Sequence, residues 1–201
     1  MNKEKKNYHH GDLRQTLLSS ATDIIREKGL EGLSMRKLAD QVGVSRMAPY
    51  HHFKDKNELL CAIAEQGFLL QDDAVRSLSE EFPDLAPAAL FEKYVLTYVQ
   101  FANQHPETYD LMFGRDIWKV GNPTHTLRVT SKSSFRLWVD WIEKLQEQAI
   151  FSQEEPALRI AQSTWASLHG LCRLFNDGIY VNPEDLVSIA KTTVHLLLKR
   201  A

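Results

Sequence analysis

Cysteine is scarce: Cys61 and Cys172 are the only two in 201 residues. That excludes a disulfide framework and a four-thiolate zinc site, and makes a reducing cytoplasm the expected compartment. No run of about twenty apolar residues occurs, so no membrane span is expected. The lysines of "MNKEKKNYHHGD" are followed by polar residues rather than an apolar segment, and are not expected to begin a secretory signal. Nine glycines and seven prolines beside 43% hydrophobic and 25% charged residues exclude a collagen-like or disordered chain. Alternating apolar and polar residues are also missing, which argues against a sheet. No internal repeat or low-complexity segment is visible.

What is present is helical periodicity and an uneven charge. Residues 1–56 hold 11 Lys+Arg against 7 Asp+Glu, and residues 57–201 hold 13 against 19, within a formal net charge of −2. A basic end joined to an acidic body is compatible either with nucleic-acid binding or with an ordinary solvated surface.

Leu13, Leu17, Ala21, Ile24 and Ile25 form one helical stripe, with Asp12 suited to the helix start and Gly29 to its end. Ser34 can cap a short second helix, "MRKLADQV", that stops at Gly43. Ser45 can cap a third, and Asp55 a long fourth whose apolar face carries Leu59, Leu60, Ile63, Ala64, Gly67 and Phe68. Beyond the punctuation "EEFPDLAP", five more helical segments follow, with Pro106, Pro123, Pro156 and Pro183 at or near their starts. The expectation is all-α, about nine helices, divided into a basic arm (1–10), a helix-turn-helix domain (11–71) joined by the long helix to a larger helical bundle (72–201).

Two short helices across a tight turn are the outline of a helix-turn-helix. At about 100° per residue, Pro49 and Phe53 of "SRMAPYHHF" face inward. Met47, Ala48 and His51 then point away, with Arg46 and Tyr50 on the flank. Pro49 lacks only the first intrahelical bond, to the Ser45 carbonyl, so a helix can form around it with room for a bend. His51 and His52 lie about 100° apart, a poor geometry for one metal ion, and no metal or cofactor is expected. A histidine on a polar helix face is ordinarily only solvated. In this context the segment becomes a DNA-reading surface: Arg46 for guanine edges, Met47 or Ala48 for a thymine methyl, and His51 toward the groove. Tyr50, His52, Lys54 and Lys56 suit phosphates, as do Ser34, Arg36 and Lys37 at the start of the preceding helix, with Ser45 at the turn. Lys3, Lys5 and Lys6 are either a minor-groove arm or a tail that touches nothing.

With Gly29 after the first helix, "SMRKLA", "GVS", Tyr50 and Phe53 three apart, and "KDKNELL" in register, residues 11 to about 60 resemble the DNA-binding domain of the TetR family of transcriptional regulators. Pro49 departs from the commoner pattern, where leucine is frequent. The resemblance implies an all-helical homodimer whose amino-terminal helices bind a palindromic operator. It also implies a carboxy-terminal domain that dimerises through its last two helices, residues about 155–200, and holds a small-molecule inducer. The function expected is a cytoplasmic repressor; the alternative is a DNA-binding dimer that recruits a protein partner without any small molecule.

In the larger half, "WASLHGL" (Trp165 to Leu171) resembles the Trp-x-x-x-His-Gly motif of one TetR subgroup. Trp165, His169 and Cys172 share a helix face, either lining a pocket or only packing. Tyr98, Phe101, Phe113, Trp118, Phe135 and Trp138 are further pocket candidates among aromatics that mostly build core. Arg136 and Arg173 could neutralise an anionic ligand, although ion-paired arginines are the default. No set of nucleophile, base and orienting group, no phosphate loop and no metal quartet is visible, so an enzyme is not expected.

Overall fold

A computed structural model of the chain describes residues 10–180, 182 and 184–198. The expected arm with Lys3, Lys5 and Lys6, and Pro183, lie outside those residues. The described chain runs α1 (His10–Gly32), α2 (Met35–Val42), α3 (Lys56–Glu81), α4 (Pro87–Gln104), α5 (Pro106–Phe113), α6 (His125–Glu147), α7 (Ala157–Asn176) and α8 (Asp185–Leu198). A 3-10 turn, Ala48–His51, separates α2 from α3, and a π turn, Asp116–Val120, separates α5 from α6. Among the described residues there is no strand.

The helix boundaries follow from capping chemistry. Gly29, at φ 68°, breaks α1 one turn before its end, a conformation that costs glycine little. Ser34 Oγ accepts the Lys37 N–H at 3.2 Å to open α2, and Gly43, at φ 77°, closes it by donating to the Ala39 carbonyl at 3.0 Å. Asp55 accepts the Glu58 N–H at 2.8 Å, while the Glu58 carboxylate reaches back to the Lys54 N–H at 2.7 Å, a reciprocal cap that starts α3. Pro87 and Pro106 stand at the first positions of α4 and α5, where a missing N–H leaves no bond unmade.

The all-α expectation holds among the described residues, but the third expected helix is a 3-10 turn, Ala48–His51. Pro49 has no N–H to give to the Ser45 carbonyl, and Ala48 takes that carbonyl at 2.9 Å instead. The next bonds, Tyr50 to Met47 and His52 to Pro49, both at 3.0 Å, keep the three-residue step. The turn has no side-chain cap, so the role expected of Ser45 is not taken up.

α3 lies at the centre, packed against α1, α4, α5 and α6. One core joins α1, α2, the 3-10 turn and the first half of α3 through Leu17, Ile24, Leu38, Phe53 and Leu59; a second joins α4, α6, α7 and α8 through Phe91, Val95, Ile142, Ala161 and Leu168. Each fully buried Leu, Ile or Phe contributes about 1.5–3 kcal/mol. The first core does not stop at the head of the molecule: Leu111, Met112, Ile117 and Leu127 from α5, the π turn and α6 belong to it. Gly67 permits this junction. A Cβ there would lie 2.5 Å from Met112 Sδ and 2.8 Å from Thr108 Cγ2.

Candidate functional site

Two sites share this frame. The first is the surface of α2 and the 3-10 turn. Leu38 and Ala39 are fully buried against α1, and Pro49 and Phe53 (2% exposed) anchor the turn from beneath. The Arg14 guanidinium lies 5.4 Å from the centre of the Phe53 ring, adding α1 to the same anchor. With the inner side pinned, Arg36, Ser45, Arg46, Met47 (62%), Tyr50 (47%), His51 and Lys54 are exposed, and Ser34, Ala48 and His52 are half-exposed. Two cationic candidates are already engaged. Lys37 Nζ donates to the Gly32 carbonyl at 3.1 Å and Lys56 Nζ to the Leu30 carbonyl at 2.5 Å, so both also hold the end of α1. Spacing along the chain could not show those bonds, because they depend on where the break at Gly29 aims the carbonyls.

The second is a cavity of about 1060 Å³ bordered by α3, α4, α5, α6, α7 and the π turn. Tyr98, Phe113, Trp118, Phe135, Trp138 and Trp165 line it. Phe101, His169 and Cys172, candidates from the sequence, do not. Phe101 borders a neighbouring cavity of about 190 Å³, and His169 and Cys172 line neither. Two tyrosines stand in the way. Trp165 Nε1 donates to the Tyr98 hydroxyl at 3.0 Å, the Tyr98 and Tyr109 hydroxyls are 3.0 Å apart, and the Tyr109 hydroxyl meets His169 Nδ1 at 2.7 Å. His169 ends this chain rather than facing the cavity. Burial lowers its pKa, with Arg173 adding a smaller push in the same direction. Burial raises the Cys172 thiol to about 12, so the thiolate is disfavoured.

Several further residues, not marked by aromatic density in the sequence, line the cavity. Phe68, Gln71, Asp72 and Val75 present one face of α3 to the cavity, joined by Met112 of α5 and Ser134 of α6. Their spacing of three and four is a helical stripe, legible only once Asp72 is allowed to face inward. Ser134 Oγ donates to Asp72 Oδ2 at 2.7 Å, and burial raises the Asp72 pKa despite that bond. The Gln71 amide nitrogen is buried with no hydrogen-bond partner. Arg136 is paired with Asp140 at 2.9 Å, and Arg173 with Asp110 and Asp177. Among the described residues no cluster of three or more His, Cys, Asp or Glu is placed to hold a metal ion, and no helix is long and apolar enough to cross a membrane.

Comparison with known proteins covers both regions of the chain. The family profile "Bacterial regulatory proteins, tetR family" matches residues 17–63, and "Tetracyclin repressor-like, C-terminal domain" matches residues 91–197. The chain is 34% identical over 98 residues to the class A tetracycline repressor protein from transposon 1721 of Escherichia coli, covering 46% of this chain and 44% of that one. It is 43% identical over 145 residues to the transcriptional repressor AcnR of Corynebacterium diphtheriae, covering 68% and 65%. Each match thus spans less than two thirds of the relative. A solved structure of a protein of unknown function from Rhodococcus sp. RHA1 superposes with a TM-score of 0.79 at 32% identity, over 96% of this chain and all of that one.

Proposed function

The chain belongs to the tetR family of bacterial regulatory proteins, and from that premise we propose a repressor of transcription that binds a near-palindromic operator as a homodimer and leaves it when a small molecule fills the cavity. Residues 11–71 form the DNA-binding unit, preceded by a basic arm at 1–10, and residues 72–201 the ligand-binding and dimerising unit. In the subgroup carrying the Trp165–His169–Gly170 motif, this chain uses the motif to pack, through the bonds of Trp165 and His169 to Tyr98 and Tyr109. The protein works in the cytoplasm and catalyses no reaction.

Arg46, Met47, Ala48 and His51 read bases. Ser34, Arg36, Lys37, Ser45, Tyr50, His52, Lys54 and Lys56 hold the backbone. α7 and α8, within about 155–200, pair with their symmetry mates, so two reading turns face successive major grooves.

One observation carries the regulatory part: Phe68, Met112, Phe113 and Trp118 line the cavity and also pack in or against the core that anchors the reading turn. A ligand that repositions them moves the turn's foundation, which favours small-molecule release over recruitment of a protein partner. Taking the dimer from 1:99 to 99:1 needs roughly 5.5 kcal/mol of differential affinity. Sedimentation equilibrium with a bound duplex tests the assembly. Two chains per duplex is the expected result, and one chain per duplex with full affinity would reject the homodimer.

A further inference from the structure

We infer that the cavity is built for a lipophilic organic cation carrying aromatic rings, its charge held at Asp72 and its rings by the surrounding aromatic side chains. This rests on reading the cavity as the ligand site and adds the class of ligand.

Asp72 lines the cavity, half-buried, on the α3 face that carries Phe68 and Gln71; the other half-buried lining carboxylate, Asp140, is paired with Arg136. One oxygen of Asp72 accepts the Ser134 hydroxyl, no described cation is within ion-pair distance of it, and Arg76, one turn further along α3, acts on it only from beyond contact. The ion pair of Arg76 goes to Asp73 at 3.8 Å and that of Arg136 to Asp140 at 2.9 Å, from side chains 62% and 72% exposed. Lys132 and Lys144 are likewise on the exposed rim, as are Glu80 and Glu143. A half-buried carboxylate without a counter-ion in contact is costly, and an incoming cation offsets that cost. The rise in its pKa, led by desolvation, has the sign of this deficit.

The walls suit the same charge. The Tyr94 ring is centred 4.8 Å from Trp138 and 5.0 Å from Trp141, and Phe135 is 5.4 Å from Trp165. The faces of such rings attract cations. An anion would need donors, and three of the four lining indoles have theirs engaged: Trp118 on the Met112 carbonyl, Trp138 on the Ala161 carbonyl, and Trp165 on the Tyr98 hydroxyl. The buried Gln71 nitrogen, the Trp141 indole and the Tyr94 hydroxyl remain, neutral donors suited to an ether or carbonyl oxygen on the ligand. The volume, about 1060 Å³, admits a drug-sized molecule.

Tetraphenylphosphonium and tetraphenylborate have the same shape and opposite charge. Their binding to the full chain can be read from quenching of tryptophan fluorescence. The expected result is phosphonium at least about tenfold tighter than borate, with Asp72→Asn weakening phosphonium about tenfold and leaving borate unchanged. Equal or tighter borate, a ratio untouched by Asp72→Asn, or binding of neither probe overturns the inference. The native ratio needs no variant, so misfolding of Asp72→Asn cannot mask the answer. The regulatory reading is separable: an anionic or neutral ligand that fills the cavity and releases DNA would sustain it while the cation inference falls. A phosphonium-filled cavity that leaves DNA affinity unchanged would do the reverse.

Discussion

Asn57 and Asn122 clasp each other by two hydrogen bonds: the Asn57 amide donates to the Asn122 carbonyl at 2.8 Å, and the Asn122 N–H donates to Asn57 Oδ1 at 3.2 Å. Asn57 sits in the first turn of α3, just after the reading segment. Asn122 follows the π turn that carries Trp118, a wall of the cavity. The clasp is therefore a polar connection between the cavity wall and the start of α3, running beside the apolar one through Met112.

Asn57→Ala removes both bonds. The exposed setting limits the stability loss to about 1 kcal/mol, measurable by denaturant unfolding. The larger expected effect is on coupling: DNA affinity without ligand stays within about threefold of native, whereas the ligand-induced loss of affinity shrinks about tenfold. Full release in the variant would assign the coupling to the apolar route alone.

Arg46 and Lys54 are expected to fail differently. Arg46→Ala should cost about 1–3 kcal/mol on the preferred sequence and little on random DNA, relaxing discrimination at one base pair. Lys54→Ala should weaken all sequences alike and flatten the salt dependence by about one unit of slope. Anisotropy titrations at several salt concentrations separate the two. Lys56→Ala is a mixed case, because its ammonium also holds the Leu30 carbonyl, and its unfolding midpoint should fall as well.

Ser34→Ala deletes the acceptor for the Lys37 N–H at the start of α2. A loss of about 1 kcal/mol is expected, seen as a lower melting temperature of the DNA-binding unit, with Ser34→Asp recovering most of it.

His169 has a folded pKa below its ordinary value, so the unfolded chain binds its proton first on acidification. Its contribution to stability is complete above about pH 6.5 and is lost as pH falls through that value toward the folded pKa. Asp72 and Asp110, whose pKa values burial raises, act with the opposite sign at lower pH. The groups around His169 are Arg173 on its own helix, which pairs with Asp110 of α5 and Asp177, and the Tyr109 hydroxyl. Unfolding free energies of native protein and His169→Gln between pH 8 and 5.5 should converge as pH falls. A constant gap would contradict a neutral, buried His169.

The head of the molecule was readable in the sequence because its determinants are local. Ser34, Gly43 and Asp55 act on backbone groups within four residues, and Leu17, Leu38 and Phe53 keep helical spacing. The 3-10 form of the reading turn was not, since the choice depends on which amide takes the Ser45 carbonyl once Pro49 cannot. The cavity was half readable. Aromatic residues mark a bundle interior, but which of them face the void is decided by α5, whose Tyr109 stands between His169 and Tyr98. Asp72 escaped notice because beside Asp73 it reads as solvated surface, and only the packing of Ser134 of α6 against it turns it inward.

The most direct measurement is selection of bound duplexes from a random pool by the full-length protein. The expected product is a motif of two inverted half-sites whose centres lie about one helical turn, roughly 10 base pairs, or a multiple of it apart, with one half-site position relaxed when Arg46→Ala is selected in parallel. Recovery of no motif, or of one that lacks inverted symmetry and is unchanged by Arg46→Ala, would contradict the reading of this chain as a dimeric, sequence-specific repressor.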